Sequence, residues 1–524
     1  MFSSLQNNKM LIYRLLTFFI ILAFFLYPII HTNAFYYDDY PRTVNHEISF
    51  WHTGRALSEF IFRFLNCSKF AFDIAPLPQI LAIIALAFSL SILSLKWQTN
   101  TLSAVLSLAC IPCYSFFLQN LSYRFDSLTM SLALACAILS VSVPDDKWHI
   151  KTYGYKIVLL LCSLNLYQVS INTVLALVVF SSLRKLDERK SIFQYFSKNI
   201  ICIIFSILIY KIEIFFIKID IYSKNHSAIT FDHQKIMNNF LAISRRALSE
   251  FGLQGGNLEI ALGIILLIGL FNMIRVIYMK GNFTEFLISI LLLAMLFFTL
   301  SGTMIILNYP IYDGRSLMAN GVLLCTANFF LIGSHPSFIK NKCTILLASY
   351  ALFIQFIFAY QWGNYLHDTF SLNEHIAENL VDDIYSISDG HNTTLRMLTR
   401  HTVEQKMTSL EHTNSKLPNQ EMVIDTPILS TAEAVLRHRR SLIDPPPLYT
   451  IWTTPFNLLR KKGLQENASF VPEDAEDSNY PQREALNIRA SCSYDAIIKR
   501  RFYNLYKRDN HIVVDFHREC PHQP

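Results

Sequence analysis

Two adjacent carboxylates, Asp38 and Asp39, stand in the segment Phe35-Tyr36-Tyr37-Asp38-Asp39-Tyr40-Pro41-Arg42, a few residues past the first long apolar stretch. That stretch, Leu11 to Ile30, is long enough to cross a bilayer, so the pair falls at a membrane surface. Carboxylates can do two kinds of work there. An ionised Asp can accept the proton of a hydroxyl, which is a weak nucleophile until that proton leaves. Two neighbouring Asp residues can instead ligate a divalent cation. The residue types leave base and metal ligand both open.

Other polar residues unusual for an apolar chain recur further on. They are Arg42, Trp51 and Arg55; Arg124 and Asp126 in Asn120-Leu121-Ser122-Tyr123-Arg124-Phe125-Asp126-Ser127; Tyr167 and Gln168; and Tyr309, Tyr312, Asp313 and Arg315. Ionisable groups at a membrane border are costly and tend to mark function. Each also has a plain explanation. Asp38-Asp39 fits a solvated loop, Arg124 with Asp126 an ion pair, and Tyr167-Gln168 a helix–helix hydrogen bond. Asp313-Gly314-Arg315 fits a turn. A chemistry that uses them together is glycosyl transfer from a lipid-linked sugar phosphate. The acceptor hydroxyl needs a carboxylate base, and the departing lipid phosphate needs Arg or a metal ion, which Arg55, Arg124 or Arg315 can supply.

The elements that must position these residues are membrane helices. Of 524 residues, 52% are hydrophobic and 16% charged, against about 25% charged in a soluble protein. The net charge of +6 does not point to nucleic acid, because much of the Lys and Arg lies in short loops between apolar runs, where it reads as topology. The runs fall at roughly 11–31, 75–95, 101–119, 127–143, 156–183, 200–217, 258–275, 283–301, 316–333 and 343–360. Basic residues at Lys9, Arg14, Lys96, Lys147, Lys151, Lys156, Arg184 to Lys190, Arg275, Lys280, Lys340 and Lys342 mark the cytoplasmic ends. The 156–183 run has basic residues at both ends and is read as a hairpin of two short helices, its polar tip at Asn165-Leu166-Tyr167-Gln168.

This predicts an all-α polytopic integral membrane protein of about eleven transmembrane helices, N-terminus inside and C-terminus outside. The outer face then collects 32–74, the turn around 120–126, the hairpin tip, 218–257 and 303–315, which gathers the candidate residues on one side. Val44–Leu65 is expected to hold an amphipathic helix on the membrane surface. Residues 1–360 form the membrane domain, with its first outer loop at 32–74. The tail, 361–524, reads as an extracytoplasmic domain of mixed structure containing Asp444-Pro445-Pro446-Pro447. The first run reads as an uncleaved signal anchor, Thr32-Asn33-Ala34 being only a fair cleavage site. Cys110 and Cys113 lack the second ligand pair of a zinc site. Cys492 and Cys520 are the only pair in the polar tail, where a disulfide requires a non-cytoplasmic location.

Several segments, taken in order, resemble a known family. They are Tyr37-Asp38-Asp39, Thr53-Gly54-Arg55-Ala56-Leu57, Ala75-Pro76-Leu77-Pro78-Gln79-Ile80, Gln119 to Ser127, and Leu166-Tyr167-Gln168-Val169-Ser170. Spread over about 35–330, they are similar to the Gtr-type (glucosyl transferase type II) serotype-converting O-antigen glucosyltransferases; the tail beyond about 390 carries no comparable match. The resemblance implies a GT-C-like fold in the bacterial inner membrane with its site facing the periplasm. It implies a polyprenyl-phosphate glucose donor, a lipid-linked O-antigen acceptor, and two functional partners: a small flippase and a polyprenyl-phosphate glucose synthase. It also places the catalytic acid of the first outer loop at Asp38 and Asp39. Transfer of a different sugar to a surface polysaccharide is the nearest alternative. A non-enzymatic flippase or transporter would put charges near the bilayer midplane, whereas here they gather at one face.

Overall fold

The computed structural model describes residues 2–388 apart from 98–99, 145–149, 188–191, 249–250, 252–256, 281–282, 312 and 333–341. Beyond that it describes 394–398, 454–464, 469–470, 498–500, 502–508 and 511–515. Tyr312, Cys492, Cys520 and Asp444 to Pro447 lie outside the described residues. The helices, in chain order, are α1 (Phe2–Thr32), α2 (Asp39–Asn45), α3 (Ala56–Asn66), α4 (Leu77–Lys96), α5 (Thr101–Leu108), α6 (Phe117–Ser122) and α7 (Ser127–Ser142). Then come α8 (Ile150–Leu166), α9 (Ser170–Asp187), α10 (Ile192–Ile217), α11 (Ile221–Ser227), α12 (His233–Leu248), α13 (Asn257–Lys280), α14 (Phe283–Ser301), α15 (Asn320–Ile332), α16 (Lys342–Ile387) and α17 (Thr454–Lys461). Two compact units share them. One comprises 1–33, 48–364 and 434–443; the other comprises 34–47, 365–433 and 444–524.

The first unit is helical, as a membrane protein requires. Six helices among the described residues are long and apolar enough to cross a bilayer: α1 from Lys9, α4, α10 from Gln194, α13, α14 and α16. The remaining apolar runs form shorter pieces. The 101–119 run is not one span: α5 stops at Leu108 and the chain turns before resuming as α6. Pro112 stands in that turn, where it has no N–H to give a helix ladder. Broken backbone of this kind is tolerable in an apolar setting only where protein surrounds it. It is wholly enclosed here, and side chains from later helices satisfy it. The Ser115 N–H donates to Gln355 Oε1 at 3.0 Å, Asn328 Nδ2 donates to the Leu106 carbonyl at 2.9 Å, and Trp362 Nε1 donates to Ser122 Oγ at 2.9 Å. α15 is buried at all 13 of its positions. Gly321 near its start lies against the Ile111 carbonyl, where any Cβ would collide.

The 156–183 run is two helices, and their contacts along α10 show how they run. Lys156 Nζ donates to Asn199 Oδ1 at 2.7 Å, and nine residues later Asn165 Nδ2 donates to Glu213 Oε2 at 2.7 Å. Just after the break, Gln168 Nε2 donates to Tyr210 Oη at 2.8 Å, and Lys185 near the end of α9 lies 4.8 Å over the Tyr195 ring. The chain therefore follows α10 in α8, reverses at Tyr167-Gln168-Val169, and returns in α9. Upstream, Val44–Leu65 is not a single helix. His46 and Gly54 take left-handed φ values of 55° and 74°, which divide it into α2, a single turn at Trp51–Thr53, and α3. α3 is two-faced: Ser58, Glu59 and Phe62 are buried while Phe60 and Phe64 are exposed.

The second unit combines α2, residues 365–387 of α16, α17 and a sheet. Its strands are β1 (Thr394–Leu398), β2 (Ser469–Phe470), β3 (Ile498–Lys499), β4 (Asn504–Arg508) and β5 (His511–Asp515), in spatial order β2-β1-β5-β4-β3. β1 pairs parallel with β2 and β5, while β4 pairs antiparallel with β3 and β5. Tyr40 of α2 is fully buried in a core with Ile376, Leu380, Leu458, Leu505 and Val514. Asp383 accepts from Arg500 Nε at 2.8 Å and Nη2 at 2.6 Å, and from Tyr503 Oη at 2.7 Å. The Arg500 hydrogen bonds hold its carboxyl below the ordinary Asp range.

Candidate functional site around the α8–α9 turn

Reversal of the chain between α8 and α9 leaves Tyr167 and Gln168 in a turn whose side chains reach three other segments. Gln168 Nε2 donates to the Thr53 carbonyl at 2.9 Å as well as to Tyr210, and Tyr210 Oη in turn donates to the Gly54 carbonyl at 2.8 Å. Gly54 sits so close to Tyr210 Oη and Gln168 that a Cβ there would be crowded, and its positive φ favours glycine besides. The Thr53-Gly54-Arg55 backbone is thus pinned to the turn. Tyr167 is buried and donates to the Arg315 carbonyl at 3.3 Å.

Arg55 is held loosely. Its Nε donates to Thr53 Oγ1 at 3.1 Å and its guanidinium lies 5.3 Å from the centre of the Phe50 ring. Nη1 is 3.8 Å from Asp126 Oδ1, too far for a hydrogen bond. That Nη1 is buried without a hydrogen-bond partner among the described residues. Arg315 follows the turn Asp313-Gly314. Its N–H donates to Gln119 Oε1 at 2.8 Å, Nη1 donates to Tyr123 Oη, and Nη2 is 3.3 Å from Asp313 Oδ2. Its side chain keeps 24% of its surface exposed.

Arg124 has a different setting. Nε and Nη2 meet Asp73 Oδ2 at 2.9 and 2.7 Å, and Nη1 donates to both the carbonyl and the side-chain oxygen of Asn33. Its guanidinium therefore has protein acceptors on every nitrogen. The structure brings Arg55, Asp126, Tyr167, Gln168, Asp313 and Arg315 into one connected set, with Arg124 committed to a separate clamp.

Asp38 and Asp39 belong to the other compact unit. Asp39 begins α2 and is fully buried; its Oδ2 accepts the Tyr36 N–H at 2.9 Å. Asp38 is exposed and makes no side-chain cap on the helix it precedes. Among the described residues no group of three or more His, Cys, Asp or Glu side chains is arranged to hold a metal ion.

Sequence reasoning missed several partners. Asp73, the acceptor for Arg124, stands two residues before Ala75-Pro76 with nothing in its neighbourhood to mark it. Glu59 is a buried carboxylate that accepts the Trp51 N–H at 2.6 Å and pairs with Arg63; only its i,i+4 spacing to Arg63 hinted at it. Gln119 opens one of the segments that carry the family resemblance but was not singled out as a partner of Arg315, and Tyr210 carried no signal beyond lying in an apolar run.

Comparison with known proteins places these residues in context. The family described as glucosyl transferase GtrII matches residues 27–326, a stretch that contains every candidate residue. A curated relative, described as an uncharacterized 55.3 kDa protein in the gtrB 5' region of Salmonella phage P22, is 32% identical over 173 residues. That match covers 31% of this chain and 34% of the relative, so the chain spans about a third of the relative's length. No solved structure matches the chain. With the family pattern covering more than half of its residues, the chain belongs to the glucosyl transferase GtrII family.

Proposed function

We propose that this membrane glucosyltransferase moves glucose from a polyprenyl-phosphate carrier to the lipopolysaccharide O-antigen at the periplasmic face of the bacterial inner membrane, changing serotype. One observation carries the donor side of this reading. Arg55 keeps a buried Nη1 with no hydrogen-bond partner among the described residues, close to the Tyr167-Gln168 turn that also holds Arg315. A guanidinium matches a phosphate in charge and in geometry. Arg55 and Arg315 are assigned to the carrier phosphate, where negative charge grows as the sugar leaves. Arg124 is assigned to structure instead. The carboxylate that accepts the proton comes from the Asp38-Asp39 pair, on the strength of the family pattern.

The topology that goes with this reading has eleven spans, an inside N-terminus and an extracytoplasmic domain over 361–524. A small flippase and a polyprenyl-phosphate glucose synthase supply the donor. The test is direct: membranes containing the protein are given polyprenyl-phosphate glucose and lipid-linked O-antigen, and the product is analysed by mass spectrometry. Addition of one hexose per acceptor repeat is expected. No addition with both substrates present sinks the reading. A reporter fused after Lys190 should report a cytoplasmic location; an external signal there overturns the span count.

A further inference from the structure

Neighbouring carboxylates need not share a task, and the surroundings of Asp38 and Asp39 are opposite. Asp39 is fully enclosed. Its side chain closes the turn that starts α2: Oδ2 accepts the Tyr36 N–H while its own N–H donates to the Tyr36 carbonyl at 3.0 Å. Its carbonyl accepts from Thr43 Oγ1 at 2.8 Å, and the next residue, Tyr40, is locked in the hydrophobic core. Such a carboxylate cannot reach a hydroxyl on another molecule without opening the turn that holds it. Asp38 is one residue earlier on that turn. Its backbone is fixed, its carbonyl accepting the Arg42 N–H at 3.3 Å, while its side chain is exposed.

We infer that Asp38 is the catalytic base and Asp39 the positioning residue that fixes the turn presenting it. This rests on the glucosyl-transfer reading. The Asp38 carboxylate takes the proton of the acceptor hydroxyl as that oxygen forms its bond to C1 of glucose. The bond from C1 to the carrier phosphate breaks, its electron pair leaves with polyprenyl phosphate, and Asp38 returns the proton to water. Asp39 acts as a hydrogen-bond acceptor for the Tyr36 N–H, a task that an amide oxygen also performs.

The two roles respond differently to the same substitution. Asn keeps an acceptor oxygen and loses basicity, so it should rescue position 39 and fail at position 38. The experiment measures glucose transfer by the full-length protein in membranes for Asp38→Asn, Asp38→Glu, Asp39→Asn and Asp39→Ala, with detergent melting temperatures alongside. Asp38→Asn is expected to lose at least a hundredfold in kcat at an unchanged melting temperature, with Asp38→Glu regaining part of it. Asp39→Asn should stay within tenfold of wild type. Asp39→Ala should melt lower and lose kcat with KM for the donor unchanged, because it misplaces the base and not the sugar. Asp38→Asn within tenfold of wild type, or Asp39→Asn as inactive as Asp38→Asn, overturns the assignment while leaving glucosyl transfer in place. Wild-type membranes that transfer no glucose remove the underlying reading, and the assignment with it.

Discussion

At the Lys96 end of α4, a cation is surrounded by the protein's own acceptors. Lys96 Nζ donates to the Val141 and Val143 carbonyls at 2.8 and 2.7 Å, finishing α7. Around the α8–α9 turn, Arg55 holds a buried Nη1 with no such acceptor among the described residues. Both settings have positive charge beside helix ends, and sequence spacing alone does not separate them. The first set caps carbonyls that a helix C-terminus leaves unpaired, which also suits the sign of the helix dipole. The second holds a buried donor that no hydrogen bond among the described residues takes up, and the proposed phosphate contact rests on it. Arg124 shows that position in the sequence does not decide which kind a cation is. It lies two residues from Asp126, yet Asp73 and Asn33 occupy its fork as fully as the carbonyls occupy Lys96.

The largest effect expected from this contrast is at Arg55. Arg55→Gln should lower glucose transfer by about 10²–10³-fold, the usual result of removing one donor from a developing negative charge, while the amount of folded protein in the membrane stays the same. Lys96→Met should do the reverse. It should remove about 1 kcal/mol of stability and reduce the folded yield, with the rate per folded molecule preserved. The two readouts are hexose incorporation by mass spectrometry and monodispersity after detergent extraction. Equal behaviour of the two variants would erase the distinction between saturated and open cations.

Arg124 and Asp73 sharpen the same contrast at a smaller scale. Arg124→Gln and Asp73→Asn should each cost about 2 kcal/mol, the range for a hydrogen bond to a charged group, and shift transfer per folded molecule by less than tenfold. The double variant should cost clearly less than the two together, since the second change removes a partner already lost. Additive losses would mean that the pair is not coupled. A hundredfold fall in transfer by the folded Arg124 variant would return Arg124 to the substrate.

What was legible in the sequence follows from how local each signal is. Long apolar runs flanked by Lys and Arg make helices wherever they fall, so α4, α10, α13 and α14 could be read from composition and length. The Tyr167-Gln168 break was legible because polar residues interrupt an apolar run with basic residues at both ends. The broken 101–122 region was not. An apolar stretch enclosed on all sides has no periodicity to betray a turn, and the residues that satisfy its backbone, Asn328 and Gln355, are more than 200 positions away. The candidate cations were legible by type, but their partners were not. Only the fold shows that Arg124 finds Asp73 across 51 residues, while Arg55 Nη1 lies 3.8 Å from Asp126 with no hydrogen bond among the described residues.

The smallest effect expected tests the saturated kind of cation where water can reach it. Arg500 bonds Asp383 through Nε and Nη2 and keeps more than half of its own side chain exposed. These hydrogen bonds lower the Asp383 pKa in the folded protein, so folding favours its ionised form. The contribution is complete above the unfolded carboxyl value of about 4, and it is lost as pH falls from there through the lower folded value. Melting of the full-length protein in detergent should therefore show an acid-dependent loss of stability below about pH 4, part of which disappears in Asp383→Asn, a variant that is less stable at neutral pH but less sensitive to acid. Hexose transfer at neutral pH should change little per folded molecule, since this cation, like Lys96, has its acceptors in the chain itself. An acid limb of the same size in Asp383→Asn would show that the pair contributes nothing to stability, and that a filled guanidinium at an exposed edge is not equivalent to the enclosed one at Arg124.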